Sequence, residues 1–202
     1  MAIVNNCLRF SSTIIEDVKS HCLSDSTLGF AYFYFDFNDG EKQRHENLIR
    51  SLITQLSAQS AKFPEALQAL YSLSEGGQHQ PSKDGLVTTL QSILGDFPKT
   101  YIILDALDEC ADREELLKLI QEINRWKMGK IHVLVTSRKE RDIEEALERL
   151  LPVQICIQSA QISGDIQLHI RERLRNDSKL KKWSTKMKEE IEETLMEGAR
   201  GM

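Results

Sequence analysis

Apolar positions recur at two different spacings along the chain, and the switches between them mark out its elements. Over residues 11–23, Ile14, Ile15, Val18 and Cys22 fall at helical steps behind Ser11 and Ser12, which predicts an amphipathic helix with one of those serines as its N-cap. Residues 28–37 are aromatic and apolar over most of their length, the pattern of a strand buried on both faces, and they run into a turn of Asp36, Asn38, Asp39 and Gly40. Leu48, Ile49, Leu52, Ile53 and Leu56 then line one face of a long helix over 43–59, and a shorter helix is expected from Pro64. Residues 74–82, with Gly76, Gly77 and Pro81, read as a loop; Leu86, Leu90, Ile93 and Leu94 form another helical stripe that stops before Pro98.

Three short apolar runs follow, at 101–104, 131–135 and 153–157, with a helix near 112–127 between the first two. Strands separated by helical patterns require crossover connections, so the expected class is α/β, a parallel sheet covered by helices on both faces. Beyond Gln161 only helical patterns remain. Residues 171–188 hold eight basic residues against two acids, and 189–197 hold five acids. The expected organisation is therefore an α/β core over 1–160 and the incomplete start of a helical, lid-type domain over 161–202.

Composition narrows the function classes. With 26 Lys and Arg against 31 Asp and Glu, the net charge of −5 provides no global attraction to nucleic acid or to an anionic membrane. The basic run at 171–188 has a single aromatic, Trp183, and an acidic neighbour, and reads as a solvated helix face. Cys7, Cys22, Cys110 and Cys156 lack the spacing of zinc or redox motifs, which fits a reducing compartment. Residues 1–10 lack the apolar core of a signal peptide, and no apolar stretch approaches the ~20 residues that span a bilayer. A cytoplasmic location follows as the expectation, with protein partners and neither nucleic acid nor membrane.

Candidate chemistry concentrates in residues 99–110, where an apolar strand ends in Asp105 and is followed by Asp108 and Glu109. This is the form of a Walker B segment: a buried strand holds one carboxylate rigidly, to fix Mg²⁺ through water, and a nearby acid orients or deprotonates the attacking water. Asp105 suits the metal role; Asp108 or Glu109 suits water activation. The same acids also suit the N-terminus of a following helix, whose dipole they complement. The next apolar run ends in Thr136, Ser137 and Arg138, and a basic residue at such a strand end can sense a γ-phosphate. None of the five histidines sits at metal-ligand spacing, Cys110 reads as a small buried residue rather than a nucleophile, and the aromatic run at 32–37 reads as core.

These motifs carry a resemblance. Ser11-Ser12-Thr13-Ile14-Ile15-Glu16-Asp17-Val18, Ala31-Tyr32-Phe33-Tyr34-Phe35-Asp36-Phe37, Leu104-Asp105-Ala106-Leu107-Asp108-Glu109-Cys110 and Val135-Thr136-Ser137-Arg138 resemble, in order, the NACHT module of fungal STAND proteins, the signal-transducing P-loop NTPases. The likeness is to the nephrocystin-like N-terminal type that precedes ankyrin or WD repeats, and it covers residues 11–202. It implies a P-loop NTPase-like signalling switch that responds to Mg-ATP or Mg-GTP.

One part departs from the family pattern. The phosphate-cradling G-x-x-x-x-G-K-[ST] loop precedes the helix matching 11–23, and an ungapped alignment puts Asn6, Cys7 and Leu8 where Gly, Lys and Ser or Thr belong. The first strand is reduced to a stub at Ala2–Val4, at best a short filler, which is expected to leave a gap between 131–136 and 153–157 or force them to pair directly, and to make the protein marginal, aggregation-prone or dimeric. The expectation is a NACHT core trimmed on both sides, a degenerate paralogue or an incomplete gene model. It binds nucleotide weakly, hydrolyses it only if the loop is restored, and acts through copies of itself or full-length STAND relatives. The alternative is an active Mg-ATP- or Mg-GTP-hydrolysing switch whose phosphate loop is missing from the sequence.

Overall fold

A computed structural model describes residues 2–4, 8–60, 63–126, 130–148, 150, 153–155, 160–177 and 179–199. The chain divides into two compact units, Met1–Ile155 and Cys156–Met202. In the first, strands β1 (Ala2–Val4), β2 (Leu28–Tyr34), β3 (Lys99–Asp105), β4 (Lys130–Thr136) and β5 (Val153–Ile155) form one parallel sheet in the order β2-β3-β4-β1-β5. The class is α/β, as the alternation of patterns requires.

Crossover handedness assigns the helices to layers. The step from β1 to β2 runs back across the sheet, so α1 (Leu8–Leu23) lies on one face; the later steps advance the other way and place their helices on the opposite face. Those are α2 (His45–Ser57), α3 (Glu65–Leu73), α4 (Lys83–Gly95), α5 (Arg113–Arg125) and α6 (Arg141–Leu147). The strand period of two serves both layers. Ala31, Phe35, Ile102, Leu104, Val133 and Val135 join Leu48, Leu52, Leu56, Leu90, Leu116 and Leu147 in the large core, while Phe30 and Ile103 meet Ile15 and Cys22 beneath α1.

The structure departs from the sequence reading in four places. Neither a gap nor direct pairing of β4 with β5 results, because Ala2–Val4 is the short filler between them and pairs with Leu134, Val135 and Thr136 on one side and with Val153, Gln154 and Ile155 on the other. Helix α1 begins at Leu8, so Ser11 lies inside it rather than at its N-cap, and its hydroxyl makes a long-range bond to Asp105. Strand β2 stops at Tyr34, and Phe37 is 66% exposed rather than core. Helix α6 was not expected; Ile143 and Leu147, four residues apart, are its buried residues, and apart from the small Ala146 the rest of it is charged. Of the third apolar run, residues 156 and 157 lie outside the described residues.

The second unit contains α7 (Ala160–Asn176) and α8 (Thr185–Ala199), joined across them by Gln167 and Arg171, whose amide and Nε both donate to Oε1 of Glu192 at 2.6 and 2.8 Å. No helix among the described residues is long and apolar enough to cross a membrane.

Candidate functional site

Parallel strands bring their carboxyl ends to one edge of the sheet, where ligand crevices form. Here β3 delivers Asp105 as its last residue, 4% exposed. Its Oδ1 accepts hydrogen bonds from both the Ser11 hydroxyl of α1 and the Thr136 hydroxyl at the end of β4. Thr136 Oγ1 in turn accepts the N–H of Ala106 at 2.9 Å. That bond helps hold Ala106 in the left-handed region, φ 58° and ψ 53°, a conformation a residue with a Cβ adopts at a cost. The sharp exit turns the chain into a short 3₁₀ turn, Leu107–Glu109, that presents the other two acids.

Asp108 lies across from the end of β4. Its Oδ1 accepts the Arg138 N–H at 2.9 Å and the Ser137 hydroxyl at 3.3 Å, and its Oδ2 accepts Arg138 Nε at 2.6 Å. Burial works against the carboxylate charge, but the hydrogen bonds and charge of Arg138 outweigh it and hold Asp108 below the ordinary carboxylate range. The partners are unequally placed: the Asp108 side chain is 5% exposed and that of Arg138 59%, so the guanidinium is anchored through Nε with its outer edge toward solvent. Arg113 braces the turn from below, donating to the Asp108 carbonyl at 3.1 Å and pairing with Asp142 at 3.2 Å.

Glu109 points to the loop after β2. Its Oε2 accepts the Phe37 N–H at 3.0 Å, and the Gln43 amide donates to the Phe37 carbonyl at 2.6 Å. With its backbone pinned from both sides, Phe37 carries its ring outward, which accounts for its exposure. Cys110 is buried and its thiol donates to the Gln43 carbonyl at 3.3 Å; burial pushes the thiol up to about 11, the reverse of an activated nucleophile.

Asp105, Asp108, Glu109 and Arg138 thus line one cleft of about 450 Å³, together with Tyr34, Asp36, Asn38 and Lys42. Burial and the neighbouring Asp105 carboxylate both raise the Tyr34 phenol. Of the loop-equivalent residues, Asn6 and Cys7 lie outside the described residues and Leu8 opens α1. Ser11, Thr136, Ser137 and Lys42 were given no role at this site from the sequence. The adjacency of Thr136 and Ser137 to Arg138 was a usable signal; nothing local marks Ser11 or Lys42.

The sequence profile of the family described as nephrocystin 3, N-terminal, matches residues 9–138, more than half of the chain and all of the cleft-lining residues. The chain belongs to that family. In this nephrocystin-type domain the match runs from the start of α1 to Arg138 and so includes the Ser11, Asp105 and Thr136 cluster. No curated relative matches the sequence. Among solved structures, the ORC1 protein of Aeropyrum pernix in complex with DNA matches at 14% identity and a TM-score of 0.49, over 85% of this chain and 43% of that one. The chain therefore spans less than half the length of that protein.

Proposed function

We propose that this nephrocystin-type domain is a NACHT-like, P-loop NTPase-like module of a STAND signalling protein that has lost nucleotide hydrolysis and works by protein association. The observation that carries the reading is the state of the acids. Asp105 gives one oxygen to two protein hydroxyls, Asp108 accepts from Arg138 on both oxygens, and Glu109 holds a backbone N–H. In the Walker B reading, water-mediated Mg²⁺ binding at Asp105 and water activation at Asp108 or Glu109 need accessible carboxylate oxygens. These residues instead bind α1, β3, β4 and the β2 loop to one another. Leu8, in the position of the metal-binding hydroxyl, has no oxygen to offer, so the residues present do not fit Mg-ATP or Mg-GTP hydrolysis.

Calorimetric titration of the chain with Mg-ATP and Mg-GTP tests this. Affinity no better than high micromolar for both is the expected outcome, because the β- and γ-phosphate contacts of a Gly-Lys-Ser loop are lost. Tight binding with turnover that falls in Asp105→Asn and Glu109→Gln would support the active-switch alternative. The cleft size and the solvent-facing guanidinium of Arg138 are the features that keep that alternative testable.

A further inference from the structure

Strand β2 is one of the two outer strands of the sheet, and its outer side is a row of backbone donors and acceptors of the kind another chain can pair with. In a parallel strand, alternate residues direct both N–H and C=O to the same side, so Phe30 and Tyr32 carry the outward groups while their neighbours bond to β3. Those groups are already taken, by side chains. Gln59, in the turn two residues past the end of α2, accepts the Phe30 N–H at 2.9 Å and donates to the Phe30 carbonyl at 2.6 Å. Gln55 treats Tyr32 in the same way, at 3.1 and 2.8 Å. The outward N–H of Leu28 is met by the Asp25 carbonyl at 3.0 Å.

A primary amide carries the same donor and acceptor pair as a peptide group, and here two of them stand where the backbone of a sixth strand would run. The spacing makes this possible. Four residues of helix advance about 6 Å, and two residues of strand about 6.6 Å, so glutamines at i and i+4 reach alternate strand residues when helix and strand run in opposite directions. Each amide is also held from behind. The second N–H of Gln55 goes to Ser51 Oγ at 2.9 Å and that of Gln59 to the Gln55 carbonyl at 2.8 Å. Leu48, Leu52 and Leu56, fully buried on the same helix, fix α2 in the core from which the glutamines reach out.

We infer that Gln55 and Gln59 form an edge guard that closes β2 against pairing with β2 of a second copy. The aromatic content of the strand makes such a guard necessary, since an open edge of Phe30, Tyr32 and Tyr34 is a template for association. Association of this protein with its own copies, where it occurs, then runs through other surfaces.

Amide hydrogen exchange on the full chain reads the guard directly. In the native protein the Phe30 and Tyr32 amides should be protected to the level of central-strand amides such as Ile102. Gln59→Ala should accelerate Phe30 at least tenfold and Gln55→Ala should do the same at Tyr32, each with little effect at the other site. The double variant should sediment as a concentration-dependent dimer or larger species, under conditions where the native chain shows no association dependent on β2. Phe30 and Tyr32 amides exchanging in the native chain at the rate of exposed amides would overturn the inference, without any variant having to fold. So would a folded double variant with fast exchange at both positions and unchanged sedimentation.

Discussion

Each acid at the cleft is defined by what it accepts. Asp105→Ala would leave the Ser11 and Thr136 hydroxyls without their shared acceptor in a buried site, and an expected loss of about 2–4 kcal/mol should appear as a lower denaturant midpoint. Asp105→Asn keeps an acceptor oxygen and should lose far less. Asp108 behaves as a charge anchored by its partner. Its folded-state pKa lies below the unfolded value, so its contribution is complete above the unfolded carboxylate range of about 4 and fades as pH falls through the folded value. Arg138→Met should therefore destabilise the protein at neutral pH and flatten the acid limb of its stability profile; an unchanged acid limb would show that the pair carries no linkage. Thr100 offers the opposite case. Its buried hydroxyl has no partner among the described residues, so Thr100→Val should stabilise by about 1 kcal/mol, seen as a rise in Tm.

Among the elements, β2 lies close against β3 at Gly29. A Cβ at Gly29 would stand 2.9 Å from Thr100 Oγ1 and 3.0 Å from the Phe97 ring, so Gly29→Ala should cost about 1–3 kcal/mol in equilibrium unfolding. The elements themselves were largely legible, because strand and helix periods are imposed by the layers they face: α2 and α4 each bury a stripe at helical spacing, and β3 and β4 carry apolar runs, 101–104 and 133–135, that contribute to the cores on both faces of the sheet. Helix α6 escaped because two large apolar residues and one alanine in a short charged segment make no stripe. At the site, Asp105, Asp108, Glu109 and Arg138 were legible as a constellation, but their partners were not. Ser11 lies 94 positions from Asp105, and Glu109 meets Phe37 across 72, so only tertiary structure shows that these acids are engaged. The glutamine guard was invisible for a related reason. Gln55 and Gln59 read as part of a polar helix face, and what they bond to is the backbone of another element.

For the whole molecule, these observations describe a nephrocystin-type α/β unit whose cleft is bound together by its own acids, with the outer edge of β2 closed by side-chain amides. Its strand order puts the three-residue β1 between β4 and β5, so the sheet is continuous even though this inner strand is short. The central claim is that the acidic constellation serves cohesion rather than nucleotide hydrolysis. The most direct test is isothermal titration of the intact chain with Mg-ATP, monitored alongside phosphate release. The account predicts affinity no tighter than high micromolar and no turnover above the uncatalysed rate. A sub-micromolar complex, with phosphate release abolished by Asp105→Asn in a variant that remains folded, would contradict it.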